Sequence, residues 1–307
     1  LKEDPAGSLR SRQIKADLAM LMVALIWGLT FVSVKNALTG ITPFMFVTLR
    51  FGIAFAFLGL VYCRRWKNLN GPTLLAGLLI GLFLFAGYAF QTFGLQFTTA
   101  SNAGFITGLS VVLVPILSIF ITRKPPTLFA ALGVAAATIG LGLLSLGDNF
   151  TLNQGDLLVL GCAVAYALHI MLVGRYAPRF DTVLLAVVQI GTVAVASGLL
   201  GVISEPTPRR FNEAVWVGLL ITAIPATSLA FLIQNYMQKF TSPTRTAIIL
   251  TMEPVFALMF GYLLLGESLT VRGLTGCAFV LAGMLVSELK SGPKVEVEAD
   301  GSPLQSD

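Results

Sequence analysis

Phe90-Gln91-Thr92-Phe93-Gly94-Leu95-Gln96-Phe97-Thr98-Thr99-Ala100-Ser101 is the stretch on which the reading of this chain turns. Its counterpart is Ile233-Gln234-Asn235-Tyr236-Met237-Gln238-Lys239-Phe240-Thr241-Ser242-Pro243-Thr244, about 143 residues further on. Both sit between strongly apolar segments. A unit repeated in so hydrophobic a chain indicates two homologous halves of a membrane protein. If each half crosses the bilayer an odd number of times, the halves must run in opposite directions.

Composition agrees. The 307 residues are 56% hydrophobic and only 11% charged, with a mean hydropathy of +0.85. A soluble domain carries roughly 25% charged residues, so the solvent for most of this chain is lipid. The net charge of +5 is scattered between apolar blocks, which fits membrane topology and not nucleic-acid binding. Cys63, Cys162 and Cys277 lie within or at the ends of apolar segments, with neither metal spacing nor a disulfide pattern. The polar, basic start up to Lys15 lacks the form of a cleavable signal, and residues 291–307 read as a disordered polar tail.

A spanning helix needs roughly 20 mostly apolar residues. About ten such stretches occur, near 18–37, 43–62, 73–93, 100–122, 128–146, 155–175, 183–203, 213–236, 243–265 and 271–289. Gly40 to Pro43, Asn68 to Pro72, Pro125-Pro126, Gly147 to Gly155 and Pro206 to Pro208 separate several of them. Basic residues test the count. Lys2, Arg10, Arg12, Lys15, Arg64, Arg65, Lys67, Arg123, Lys124, Arg175, Arg179, Lys239, Arg245, Lys290 and Lys294 fall on one side. Lys35, Arg209, Arg210 and Arg272 fall on the other. The richer side is expected to be cytoplasmic, with both termini there.

The expected fold is therefore an all-α polytopic membrane protein, ten transmembrane helices in two inverted five-helix repeats. The division is a cytoplasmic segment 1–16, repeats 17–147 and 148–290, and the cytoplasmic tail 291–307. Such repeats are frequent among secondary transporters.

The chain resembles the drug/metabolite transporter superfamily, and within it the EamA family of ten-helix exporters. Trp27-Gly28, Leu49-Arg50-Phe51 and Thr98-Thr99-Ala100-Ser101 carry the resemblance in the first half. Thr241-Ser242-Pro243, Glu253-Pro254-Val255 and Leu264-Leu265-Gly266-Glu267 carry it in the second. The halves differ: Ser110 stands where alignment with the second half expects the acid Glu253, and Pro115 comes about a turn later than Pro254. The resemblance implies a central cavity that opens alternately to each side and the movement of small metabolites, often amino acids, often outward.

Glu253 lies near the middle of an apolar span, where a charge is costly. It reads as a substrate contact or proton-titrating group, or as a packing group beside Pro254, whose missing N–H marks a kink one turn earlier. Arg50 reads as an anion clamp or as a side chain snorkelling to the outer interface. His169, the single histidine, suits a proton relay or a bond between helices. Trp27, Tyr88, Gln91, Asn102, Tyr166, Gln234 and Tyr236 offer the ring faces and amides that a small amphipathic solute needs, though the same groups also bind helices together. Lys35 reads as an interfacial anchor. Gly77–Gly81 and Gly104–Gly108 form GxxxG pairs, and Gly28 and Gly52 add close-approach points. If the fourth and ninth spans cross at the pseudo-twofold axis, Gly104 and Gly108 would let them rock; otherwise such residues serve static packing.

No HExxH, paired intramembrane aspartates or placeable serine–histidine set argues for an enzyme. GxxxxGK[ST] is missing too, so neither ATP drive nor a cofactor nor a metal is expected. The expected function is export of amino acids or related metabolites through the cytoplasmic (inner) membrane by alternating access. The alternatives are efflux of toxic compounds and a non-transporting structural or sensory subunit. The expected partners are a small-molecule substrate and the lipid bilayer, with no nucleic acid, in a monomer or homodimer.

Overall fold

Polar caps and prolines convert the sequence breaks into helix starts. Pro43 and Pro72 occupy first-turn positions, where a missing N–H is harmless. The Asn70 side chain accepts the Thr73 N–H, Asn153 and Asp156 form a reciprocal capping box, and Asp181, Asn212 and Ser242 cap three further helices. The computed structural model describes residues 5–98, 100–122, 126–145, 153–206, 211–265 and 270–288.

Among these residues the helices are α1 (Pro5–Ala37), α2 (Pro43–Val61), α3 (Gly71–Gly94), α4 (Ala100–Gly108), α5 (Ser110–Thr122), α6 (Leu128–Ser145) and α7 (Gln154–Tyr176). There follow α8 (Thr182–Ser204), α9 (Glu213–Ala223), α10 (Ala230–Met237), α11 (Pro243–Leu250), α12 (Met252–Leu265) and α13 (Val271–Glu288). A π-turn over Ile224–Leu229 joins α9 to α10.

Among the described residues six continuous helices are long and apolar enough to cross a membrane: Arg12–Thr30, Pro43–Val61, Gly71–Gly94, Gln154–Tyr176, Thr182–Ser204 and Glu213–Met237. The remaining spans are α4 with α5, α6, α11 with α12, and α13. Two of these are interrupted near their middle, at Leu109 and Thr251. The chain is a polytopic all-α membrane protein with ten spans in two inverted repeats. Helix α1 starts at Pro5, so the basic segment expected before the first span is itself partly helical. The loop between the repeats at 146–152, the Gly266-Glu267 part of one motif and the tail 289–307 lie outside the described residues.

Polar contacts between distant helices respect the alternation of the spans. Asp17 pairs with Arg245, and Arg65 with Asp181, all on the face where α1 begins. On the opposite face Thr98 donates to Asp156, and the two Glu205 carboxylate oxygens accept the N–H groups of Phe44 and Met45 at the start of α2. A carboxylate at a helix start is favoured by the unpaired N–H groups there.

The halves meet most closely where α6 crosses α13. A methyl group added at Gly140 would lie 2.6 Å from the Gly276 carbonyl oxygen, and one at Gly283 would lie 2.6 Å from that of Gly133. The two contacts exchange under the repeat, since Gly133 corresponds to Gly276 and Gly140 to Gly283. The fourth and ninth spans also meet, α5 against α11 and α4 against α12, but not through the Gly104–Gly108 pair. Among the described residues Gly104 faces open space, and the nearest neighbour of Gly108 is the Leu141 side chain. Gly77 and Gly81 do allow close packing, against Val188 and Thr192 of α8, whereas Gly52 touches nothing.

The glycines thus separate by what they face. Gly140→Ala forces a methyl onto backbone and is expected to destabilise the protein by about 1–3 kcal/mol. Gly104→Ala gains helix propensity in open space and is expected to be neutral or stabilising. Thermal unfolding in detergent reads the difference.

Candidate functional site

The interruptions at Leu109 and Thr251 lie at matching places in the two repeats. Thr251 N–H turns back to the Ile248 carbonyl at 3.1 Å, and Leu109 N–H to that of Ile106 at 3.1 Å. Pro254, which lacks the N–H that would bond one turn back, accounts for the second break. Pro115 lies too far along α5 to account for the first. The break is kept where the proline is not, so it belongs to the architecture. Its effect is to set Gly108 and Ser110 of one repeat and Thr251 and Glu253 of the other on the wall of a central cavity. Gly28 lets α1 back onto the start of α12. A methyl there would sit 2.7 Å from the Glu253 carbonyl oxygen and 2.8 Å from the Phe256 Cβ.

Arg50 is 3% exposed and reaches into this cavity from α2. It does not snorkel to an interface. Its Nε donates to Thr227 Oγ1 at 2.7 Å, and its Nη2 to the Tyr88 hydroxyl at 3.2 Å and the Ala226 carbonyl at 3.5 Å. The guanidinium carbon stands 4.9 Å from the centre of the Tyr88 ring, a cation–π arrangement. Among the described residues, Nη1 has no hydrogen-bond partner. Trp27 shares the Ala226 carbonyl, with Nε1 donating to it at 2.7 Å.

Glu253 lines the same cavity. Among the described residues no ion pair within 4.0 Å joins it to Arg50 or to any other cation. A guanidinium and a carboxyl group therefore line a common space with no ion pair between them among the described residues.

Aromatic rings form much of the remaining wall. Tyr88 meets Phe51 at 4.7 Å and Tyr166 at 5.7 Å between ring centres, and Trp27 meets Phe231 at 5.3 Å. His169 is buried, bonded through Nε2 to Gln189 Oε1 at 2.8 Å, with its ring edge-on to Phe231. That bond ties α7 to α8 while the ring still borders the cavity. Gln91 donates to Thr107 at 3.2 Å. Gln234 is buried on the cavity wall with Oε1 lacking a partner among the described residues.

Of the residues singled out in the sequence, Trp27, Arg50, Tyr88, Gln91, Tyr166, His169, Gln234 and Glu253 surround one cavity. Tyr236 does not. It is 48% exposed near the end of α10 and packs edge-on against Phe240, because it points away from Gln234 on the same helix. Asn102 lies on α4 and Lys35 on α1, but their side chains are outside the described residues. Sequence reading missed Thr227, Ala226 and Phe231. The available signal was Pro225 within an apolar span, followed closely by Thr227-Ser228. It also missed the Asp17–Arg245 pair, which joins groups 228 residues apart.

The profile described as the EamA-like transporter family matches residues 14–146 and 153–289. An "Uncharacterized transporter" of Archaeoglobus fulgidus is 37% identical over 284 residues, covering 92% of this chain and 89% of the relative. The "Uncharacterized transporter YoaV" of Bacillus subtilis is 23% identical, covering 89% of this chain and 97% of its own. A solved crystal structure superposes with a TM-score of 0.75 at 20% identity, over 90% of this chain and 96% of the other. At that identity the likeness speaks for the fold alone.

Proposed function

Because the chain belongs to the EamA-like transporter family, a family of transporters and not of enzymes, we propose that it carries amino acids or closely related small metabolites outward across the cytoplasmic membrane. Both termini lie on the cytoplasmic side, and the cavity opens to the two faces in turn. One observation carries the substrate class: Arg50 and Glu253 face the same aromatic-walled cavity without pairing with one another. A zwitterion complements that arrangement. Its carboxylate suits the guanidinium, its ammonium suits Glu253, and its apolar part suits Trp27, Tyr88 and Tyr166. Gln91 and Gln234 supply neutral polar contacts, and His169 closes the wall by holding Gln189. The buried guanidinium disfavours the cationic dyes that an efflux pump for toxic compounds would take.

Glu253 cannot hold the substrate's ammonium and a proton together. Substrate leaving outward and a proton returning inward therefore exclude one another on this carboxylate. The test is counterflow into proteoliposomes of purified protein, screened over amino acids, nucleobases and cationic dyes. Amino acids are expected to exchange and dyes not. An imposed pH gradient is expected to drive wild-type transport, while Glu253→Gln exchanges substrate more weakly and loses the response to the gradient. A wild-type rate indifferent to the gradient removes the proton, and exchange of dyes alone removes the substrate class.

A further inference from the structure

The span formed by α9 and α10 is not a uniform helix. Over Ile224–Leu229 it widens into a π-turn, with Pro225 at its second position. Ser228 Oγ reaches back five residues to the Ala223 carbonyl at 3.0 Å. π-turns inside helices are rare and recur at functional sites. Here the widened turn presents two acceptors to its neighbours. The Ala226 carbonyl takes the Trp27 indole N–H, and the Thr227 hydroxyl takes Arg50 Nε–H, each at 2.7 Å.

The bonds to Arg50 fall on one side of its fork. A guanidinium has five N–H groups in one plane. Nε is held by Thr227, and Nη2 by Tyr88 and, at longer range, by Ala226. Nη1 keeps both of its hydrogens unbonded among the described residues, on a side chain that is nine-tenths buried and lines the cavity. We infer that Thr227 is a positioning residue for recognition of a carboxylate: through Nε it fixes the plane of Arg50 so that the free Nη edge of the guanidinium faces an anionic group in the cavity. The inference rests on the amino-acid reading above.

The two repeats differ at this point. Counting from the family match, which begins at residue 14 in one half and 153 in the other, Arg50 corresponds to Gln189. Gln189 bonds His169. By the offset that relates the two quoted stretches, Thr227 corresponds to Leu84. Only the first repeat's arginine and the second repeat's hydroxyl form this couple, so the substrate enters a polarised cavity with one anion-seeking end. An arginine tied at Nε also loses less freedom when it binds.

A purely structural role for Thr227 makes a different forecast, and the experiment separates the two. The probes are the amino acid that exchanges fastest with wild-type protein and the amine formed by its decarboxylation, both in proteoliposome counterflow. Thr227→Val keeps the shape and removes the acceptor. It is expected to raise KM for the amino acid about tenfold, the effect of one charge-assisted hydrogen bond, with maximal rate near wild type and the amine unaffected. Thr227→Ser is expected to restore KM to within about twofold of wild type. An unchanged KM in Thr227→Val overturns the inference. So does an equal loss for the amine, or failure of serine to rescue. If Thr227→Val does not reach the membrane, a serine variant that impairs the amino acid and the amine alike also overturns it. Wild-type protein that takes none of the amino acids overturns the functional reading and the inference together.

Discussion

Arg50→Ala is expected to abolish exchange of carboxylate-bearing substrates, lowering transport by about 100-fold or more. The substitution leaves a carboxylate with no charged partner in a cavity that offers it aromatic faces and neutral amides. The fold should tolerate the change. The Ala226 carbonyl keeps the Trp27 N–H, and no ion pair among the described residues is broken by the loss. Arg50→Lys keeps the charge but not the planar fork and should fall between wild type and alanine. Proteoliposome counterflow, with detergent-solubilised melting as the control for folding, checks both variants. A transporter that works at wild-type rate with alanine at position 50 would remove Arg50 from substrate binding.

The second large effect concerns stability. Asp17 and Arg245 form a two-pronged ion pair, Nε to Oδ1 at 3.0 Å and Nη2 to Oδ2 at 2.6 Å, with side chains only 13% and 8% exposed. Replacing one partner strands the other charge away from water, a loss of about 3–5 kcal/mol for buried pairs. Arg245→Met is therefore expected to lower the unfolding temperature sharply. The double variant Asp17→Leu/Arg245→Met is expected to recover most of the loss, because two apolar groups leave no charge to desolvate. Thermal unfolding of the two proteins side by side is the measurement. If the double variant is no more stable than the single one, the penalty does not come from an orphaned carboxylate.

These two cases also mark what the sequence could reveal. Arg50 and Glu253 stand out because a charge inside an apolar run is costly wherever it ends up, and the repeat marks their halves. Where each side chain points is another matter. Arg50 lies in reach of the outer interface along the helix, and it is drawn inward by Tyr88 of α3 and by the Thr227 hydroxyl and Ala226 carbonyl, nearly 180 residues away. Tyr236 and Gln234 are two residues apart in a polar run, yet one faces out and the other borders the cavity. Periodicity places them on different faces of a helix but does not say which face meets the other half. Pro254 announced the break at Thr251, whereas the matching break at Leu109 has no proline to announce it. The spans themselves were legible because apolar length and the alternation of basic residues are set by the bilayer and not by neighbouring helices.

The crossing of α6 with α13 has a bearing on how such a molecule could arise. Gly140 receives the carbonyl of Gly276 on the other helix, and Gly283 receives that of Gly133, so each helix presents what the other accepts. A surface of that kind is self-complementary. Two separate copies of a single five-helix chain, inserted in opposite senses, would present it to each other before any peptide linked them. The covalent join then contributes something other than the contact: it fixes the stoichiometry and frees each half to diverge, so that one can carry an arginine and the other a glutamate on the two sides of a shared space.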